Sequence, residues 1–183
     1  LMMGLICLTM LFLLGIGYSN FVALREREQE ARRSANHDGL TGLPNRAALG
    51  RRLAEAVALH DETGAPVALV YLDLDGFKEV NDANGHEAGD VLLRRVAQGF
   101  AAICDGVGFL ARVGGDEFVV VMRDHIARPE ARNLAQRLLD EMERHLEWNG
   151  QSLCVGSSIG ISSFPDRART IDDLLSQADV AMY

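Results

Sequence analysis

The chain has 183 residues, of which 18 are basic and 26 acidic, so its formal net charge is −8. This acidic balance argues against general binding to nucleic acid or to an anionic lipid surface. The cysteines at positions 7, 104 and 154 contain no CxxC pair, so neither a disulfide framework nor a zinc site is indicated. All charged side chains follow residue 24, which divides the chain into a short apolar segment and one globular domain.

Residues 1–24 predict a transmembrane helix. As a helix they would extend about 36 Å, compared with roughly 30 Å for the hydrocarbon core of a bilayer. Arginines follow at positions 25, 27, 32 and 33, and basic residues beside a span favour the cytoplasmic side. A signal peptide and a buried core helix remain as alternatives. Residues 25–36 predict a helical linker, either in a coiled coil or as a plain solvated helix.

The remaining residues, 37–183, alternate between helical and strand patterns after a polar turn at 37–46. In chain order, the patterns first predict a helix marked by Leu49 and Leu53, a buried strand at 67–72, a polar loop or helix start at 81–90 and a helix through 92–103. They then predict strands at 109–113 and 118–122, a helix at 134–142, a strand at 153–161 and a helix through 174–178. A capping box formed by Thr170 and Asp173 marks the start of this last helix.

After the first helix the order is β-α-β-β-α-β, which predicts an α+β fold of the ferredoxin-like type. Such a fold resembles the palm of nucleotidyl cyclases, with a sheet that contains antiparallel strands and is flanked by helices. Its β-α-β crossover makes the first two strands parallel, so Asp73 and the Asp116–Glu117 hairpin tip should lie at one edge. Such carboxylates raise one another's pKa, and a bound Mg²⁺ or Mn²⁺ would relieve the repulsion. The alternative is that they are solvated turn residues.

Several motifs now carry a family resemblance. Residues 114–118 read GGDEF, residues 73–78 read DLDGFK and residues 81–90 read NDANGHEAGD. DGLTGLPNR at 38–46 opens the domain, and SIGI at 158–161 lies near its end. In this order and at these spacings, the five motifs resemble a GGDEF-family diguanylate cyclase domain, over residues 37–183.

The resemblance implies chemistry on GTP. In this family two domains, each holding one GTP, face each other as a homodimer. The 3′-hydroxyl of each GTP attacks the α-phosphate of the other, and the products are cyclic di-GMP and pyrophosphate. Metal ions, here Mg²⁺ or Mn²⁺, suit this reaction because they activate the hydroxyl and neutralise phosphate charge. The resemblance also implies a bacterial protein. Together with the predicted span and the arginines that follow it, this gives the inner membrane as the expected location, with the domain in the cytoplasm.

The family's residue roles transfer onto matching positions of this chain. The expected catalytic residues are Asp116 and Glu117. The expected metal ligands are Asp73, the carbonyl of Leu74, Asp116 and Glu117, with a role as general base as the alternative for Glu117. The expected substrate-binding residues are Gly114 and Gly115, which leave room for the nucleotide, Phe77 and Lys78, which contact phosphate, and Asn81 and Asp90, which read guanine. His86 is interpreted as a structural loop residue.

The chain also departs from the family pattern. Residues 105–108 read DGVG where many members carry the Arg-x-x-Asp inhibitory site, so we expect no product inhibition through that site. The family's phosphate-binding Lys and Arg would follow Tyr183, so the domain is expected to be incomplete at its C-terminus. The LPNR and AMY sequences resemble domains fused to an EAL phosphodiesterase, which predicts such a domain downstream in the parent chain.

Two other functions remain open. One is a GTP-binding module that regulates a fused cyclic di-GMP phosphodiesterase without making product. The other is a different palm-like nucleotidyl transferase or cyclase with the same metal carboxylates. The low aromatic content offers no stacking platform for single-stranded nucleic acid, which is not expected as a partner.

Overall fold

The computed structural model describes residues 33–122, 128–144, 146–153, 155–166 and 168–182, together with six single residues between 18 and 30. The chain divides into two units, residues 1–36 and 37–183. The described residues of 18–36 are helical. Among all described residues, none belongs to a helix with the length and apolar character that a membrane span requires. Apart from Tyr18, Phe21 and Val22, the span predicted at 1–24 lies outside the described residues and stays a prediction.

The second unit contains all of the named helices and strands. The helices are α1 (Arg46–Thr63), α2 (Phe77–Asn84), α3 (His86–Cys104), α4 (Arg128–Met142) and α5 (Ile171–Val180). The strands are β1 (Val67–Asp75), β2 (Gly108–Gly114), β3 (Glu117–Met122), β4 (Leu146–Trp148), β5 (Gln151–Leu153) and β6 (Gly156–Phe164).

The main sheet has the strand order β2-β3-β1-β6, and β4 and β5 form a separate hairpin. Each pair of neighbours in the main sheet is antiparallel. Because β3 runs antiparallel to both β1 and β2, the strands β1 and β2 run in the same direction with β3 between them. With β6 as the fourth strand, this is the ferredoxin-like order, so the predicted α+β class with an antiparallel sheet between helices is confirmed.

Both faces of the sheet are covered, which explains the continuous apolar run of β1. Alternate side chains of β1 enter two cores. Val70 and Leu72 pack with residues of α3 and α4, whereas Leu69 and Tyr71 pack with residues of α1 and α5. At Gly160 on β6, an added Cβ would overlap the backbone of α5, so a glycine is needed for this close approach.

The structure differs from the sequence prediction in two segments. The segment 81–90, predicted as a polar loop or a helix start, contains the end of one helix and the start of the next. It is helical on both sides of Gly85, whose φ of 84° separates α2 from α3. The strand predicted over 153–161 is two strands, because β5 ends at Leu153 and β6 begins at Gly156. The cap of α5 is confirmed, since the Thr170 hydroxyl accepts a hydrogen bond from the Asp173 amide at 3.0 Å.

Candidate active site

Three carboxylates lie at one edge of the main sheet. Asp73 near the end of β1 is the cross-strand partner of Glu117 at the start of β3. Asp116 lies in the turn between β2 and β3. Burial and the charges of Asp116, Glu117 and Asp75 raise the pKa of Asp73 above its ordinary value. The topology therefore brings the predicted carboxylates close enough to repel one another.

The donors at this edge are suited to a hard divalent cation. Carboxylate and carbonyl oxygens are the ligands that Mg²⁺ prefers, and Mg²⁺ commonly takes one or two carboxylates and keeps several waters. Among the residues that the structure describes, no group of three or more His, Cys, Asp or Glu side chains is arranged to hold a metal. The predicted ligands are the carboxylates of Asp73, Asp116 and Glu117 and the carbonyl of Leu74. They supply oxygen donors of this kind, and their role as metal ligands stays a prediction.

The Glu117 carboxylate has two partners that no sequence motif indicates. The Tyr71 hydroxyl donates to Glu117 Oε1 at 3.1 Å, and Arg46 Nη2 lies 3.9 Å from Glu117 Oε2. Burial and the charge of Glu117 raise the pKa of Tyr71 to about 12, so this hydroxyl is a donor at neutral pH. The available signal was the position of Tyr71, two residues before Asp73 and so on the same face of β1.

An arginine joins the hairpin to the opening turn of the domain. Arg112 Nε and Nη2 both donate to the Gly115 carbonyl, at 2.9 and 2.6 Å. Arg112 Nη1 pairs with Asp38 Oδ1 at 2.7 Å, and Thr41 donates to the same oxygen. Burial alone would raise the pKa of Asp38, but the hydrogen bonds from Thr41 and Arg112 outweigh it and lower that pKa. None of these side chains was among the predicted site residues.

The predicted nucleotide-binding residues lie on α2 and α3. Gly76, with a φ of 79°, connects β1 to α2, so Phe77 and Lys78 occupy the first turn of α2. Asn81 packs directly on Gly89, where an added Cβ would overlap its side-chain oxygen. The contact places the Asn81 amide against α3, one residue before Asp90. The two predicted guanine readers thus belong to facing turns of neighbouring helices.

The other predicted residues are placed as follows. Gly114 ends β2, and a Cβ added there would lie 3.3 Å from Glu117 Oε2. Gly115 is exposed in the turn with a φ of 27°, a conformation that glycine adopts more readily than other residues. His86 is the exposed first residue of α3, so its surroundings are those of a helix start rather than of a loop.

We expect Asp73→Asn to stabilise the protein in the absence of metal at about pH 7.5. A raised pKa means that the folded protein binds the Asp73 proton more tightly than the unfolded chain does. The ionised carboxylate therefore costs stability at neutral pH, and that cost disappears as the pH falls through the raised pKa. Thermal melting with EDTA should show a higher midpoint for the variant at neutral pH and a smaller difference in acid.

The control for this prediction is Asp61→Asn, which removes an exposed carboxylate from α1. It should leave the midpoint near the wild-type value at both pH values. Addition of Mg²⁺ should then raise the wild-type midpoint and leave the Asp73→Asn midpoint unchanged. A lower midpoint for Asp73→Asn in EDTA would contradict the electrostatic description of this edge.

Comparison with known proteins identifies relatives that contain the same kind of domain. The family model described as "Diguanylate cyclase, GGDEF domain" matches residues 35–183. The chain is 37% identical over 161 residues to the bifunctional diguanylate cyclase/cyclic di-GMP phosphodiesterase MucR of Pseudomonas aeruginosa, covering 88% of this chain and 23% of MucR. It covers 20% of a Caulobacter vibrioides signaling protein, so it spans only a small part of these relatives.

Solved structures of GGDEF domains share the fold. A sensory box/GGDEF family protein from Caulobacter crescentus has a TM-score of 0.76 and 44% identity, covering 81% of this chain and 96% of that one. The GGDEF domain of DgcB from the same organism, solved in complex with c-di-GMP, has a TM-score of 0.76 and 30% identity, covering 81% of this chain and 88% of that one. With a family model that matches residues 35–183 and with the five motifs in order, the chain belongs to the diguanylate cyclase family of GGDEF-domain enzymes.

Proposed function

We propose that this chain condenses two molecules of GTP into cyclic di-GMP, with release of two pyrophosphates. The observation that carries the proposal is the meeting of Asp73, Asp116 and Glu117 at one sheet edge. Phosphoryl transfer depends mainly on positioning and on neutralising charge, and an edge of carboxylates that repel one another is suited to binding the cation that does both.

In this proposal each residue has one task. Asp73, Asp116 and the Leu74 carbonyl would hold Mg²⁺ or Mn²⁺, which when bound would neutralise phosphate charge and activate the attacking 3′-hydroxyl. Glu117 accepts the proton of the 3′-hydroxyl while the oxygen of that hydroxyl forms a bond to the α-phosphorus of the other GTP. The bond between the α-phosphorus and the oxygen that bridges it to the β-phosphorus breaks, and pyrophosphate leaves with that oxygen.

The remaining residues bind the nucleotide. Lys78, exposed in the first turn of α2, offers its ammonium group to the phosphates, and Phe77 lies beside it. Asp90 accepts hydrogen bonds from the N1–H and the exocyclic amine of guanine, which adenine does not present together. Asn81 adds an amide to the same reading surface. This set predicts a preference for GTP over ATP.

Dimerisation and location are further parts of the proposal. Each domain carries one set of nucleotide-binding residues, and the reaction joins two nucleotides, so two copies must face each other for turnover. If residues 1–24 form the predicted span, the arginines that follow it favour a domain on the cytoplasmic side of the membrane. A fused EAL domain in the parent chain would place synthesis and hydrolysis of the same messenger in one protein.

The test measures GTP binding and product formation on one preparation of residues 1–183 in mild detergent with Mg²⁺. Binding of GTP in preference to ATP, with cyclic di-GMP formed, is the expected result. Binding without product would instead favour the silent regulatory module. Equal use of ATP would favour a different palm-like cyclase, and this result would also remove the guanine-reading roles of Asn81 and Asp90.

We expect Gly89→Ala to weaken GTP binding by about tenfold. The added methyl displaces the Asn81 amide from its position on α3, and one lost hydrogen bond to a base corresponds to roughly this factor. The atoms nearest the added Cβ belong to the Asn81 side-chain amide and to the edge of the Phe77 ring, at 3.2 Å, and none belongs to the backbone. The melting temperature should therefore change little. Titration with a fluorescent GTP analogue gives the affinity.

Gly50→Ala is the matched control, since Gly50 lies in α1 with no atom within 4 Å of an added Cβ. It should leave GTP affinity unchanged and stabilise the helix by up to about 1 kcal/mol. Wild-type affinity in Gly89→Ala would show that Asn81 does not read the nucleotide from the position the structure gives it.

A further inference from the structure

We propose that Tyr71 is a positioning residue for Glu117, and that its hydroxyl fixes the direction in which the Glu117 carboxylate points. The inference rests on the proposed cyclase activity, in which Glu117 accepts the proton of the attacking hydroxyl. It adds a residue of β1 that lies outside the five motifs. Its basis is the 3.1 Å hydrogen bond from the Tyr71 hydroxyl to Glu117 Oε1.

Tyr71 is itself rigidly placed. Its residue exposure is 8%, and its ring belongs to the core beneath α1 and α5. On β1 it lies between its cross-strand partners, Val119 of β3 and Gly160 of β6. A phenol ring held by the sheet in this way presents its hydroxyl at a fixed point, because little rotamer freedom remains.

The second partner of Glu117 is weaker. Arg46 Nη2 lies 3.9 Å from Glu117 Oε2, and the Arg46 side chain is 73% exposed. Exposed ion pairs at this distance contribute little, whereas a hydrogen bond to an ionised carboxylate is among the stronger ones. Arg46 Nε donates a hydrogen bond to the Val113 carbonyl at 3.1 Å. The Arg46 side chain therefore lies beside the Glu117 carboxylate but does not fix its direction.

The surroundings of Glu117 leave it room to turn. Tyr71, Arg46 and Glu117 line a cavity of about 440 Å³ between α1, β1 and α5. A carboxylate at the wall of such a cavity can adopt other rotamers unless a contact restricts it. Among the described contacts of the Glu117 side chain, the Tyr71 hydrogen bond is the short one, so its removal should release the carboxylate into the cavity.

The test variant is Tyr71→Phe, which keeps the ring and removes the hydroxyl. We expect kcat for cyclic di-GMP formation to fall about tenfold, with KM for GTP and direct GTP affinity within about twofold of wild type. Ser162→Ala is the matched control, because it removes a buried hydroxyl from β6 that donates to the Leu174 carbonyl at 2.7 Å. It should lower the melting temperature and leave kcat unchanged.

Crystal structures of wild type and Tyr71→Phe give a readout that does not depend on turnover. The expected result is a Glu117 carboxylate that has turned or spread over several rotamers in the variant. An unchanged, single Glu117 position, or an unchanged kcat in an active enzyme, would overturn the inference. A wild-type chain without activity would count against the proposed function alone, and the Glu117 position would still decide the role of Tyr71.

Discussion

Replacing Asp116 with asparagine is expected to reduce cyclic di-GMP formation by roughly a thousandfold, the scale on which a group that stabilises transition-state charge contributes. The variant keeps the size of the side chain and removes one of the carboxylates that are proposed to hold a divalent cation. It also removes a charge that repels Asp73, so the folded protein should be at least as stable as wild type. Product is measured by chromatography, and stability by thermal melting.

In Asp116→Asn, product formation should fall while the stability of the fold is kept, so loss of turnover can be separated from unfolding. Asp105→Asn is the matched control, since Asp105 is an exposed carboxylate that follows the last residue of α3. It should retain full activity. If Asp116→Asn kept its rate at saturating Mg²⁺, Asp116 would have no part in holding the cation. If it lost the rate only because it unfolded, its melting curve would show this directly.

Arg112→Ala is expected to have the second large effect, on stability and on activity together. The side chain pairs with Asp38 and donates twice to the Gly115 carbonyl, so its loss leaves a half-buried carboxylate and a carbonyl without these partners. Hydrogen bonds to charged groups suggest a loss of about 2 kcal/mol, or roughly 4–8 °C in melting temperature. Because the hairpin also carries Asp116 and Glu117, kcat should fall at least about tenfold.

The pH dependence of this effect follows from the Asp38 carboxylate. Its folded pKa is lowered, so its contribution is present above the ordinary carboxyl pKa and is lost as the pH falls through the folded value. The gap in melting temperature between wild type and Arg112→Ala should therefore narrow in acid. Arg132→Ala, at an exposed position of α4, should have little effect at either pH.

A double-mutant cycle separates the ion pair from the hairpin contact. If Asp38 and Arg112 act on each other, Asp38→Asn should cost much less in an Arg112→Ala background than in wild type. Additive losses would mean that the 2.7 Å pair contributes nothing of its own and that Arg112 acts only through Gly115.

Local patterns were sufficient for much of the fold. The apolar run at 67–72 indicated a strand covered on both faces, and Thr170 with Asp173 indicated a helix start, because each depends on neighbouring residues. The α2–α3 boundary was not predicted because α2 is short and only Val80 among its residues is buried. The β5–β6 break was not predicted because the apolar alternation continues across it.

The candidate active site also has features that the sequence predicts and contacts that it does not predict. The carboxylate edge followed from the strand order, since the hairpin tip and the end of β1 lie at one edge in a βαββαβ sheet. The Tyr71–Glu117 and Arg112–Asp38 contacts join residues 46 and 74 positions apart, and no local pattern marks such pairs. The surroundings of the Glu117 side chain are therefore a finding of the structure. The predicted metal ligands, which are Asp73, the Leu74 carbonyl, Asp116 and Glu117, stay a prediction.

The most direct test of the proposed cyclase activity is a product analysis of the wild-type chain with GTP and Mg²⁺. The chain in mild detergent is incubated with GTP, and the nucleotides and pyrophosphate are quantified by chromatography and mass spectrometry. We predict cyclic di-GMP with two pyrophosphates for each molecule formed, and no such product when EDTA is present. GTP that remains bound and unconverted, at protein concentrations where the chain is dimeric, would contradict the assignment of cyclase activity.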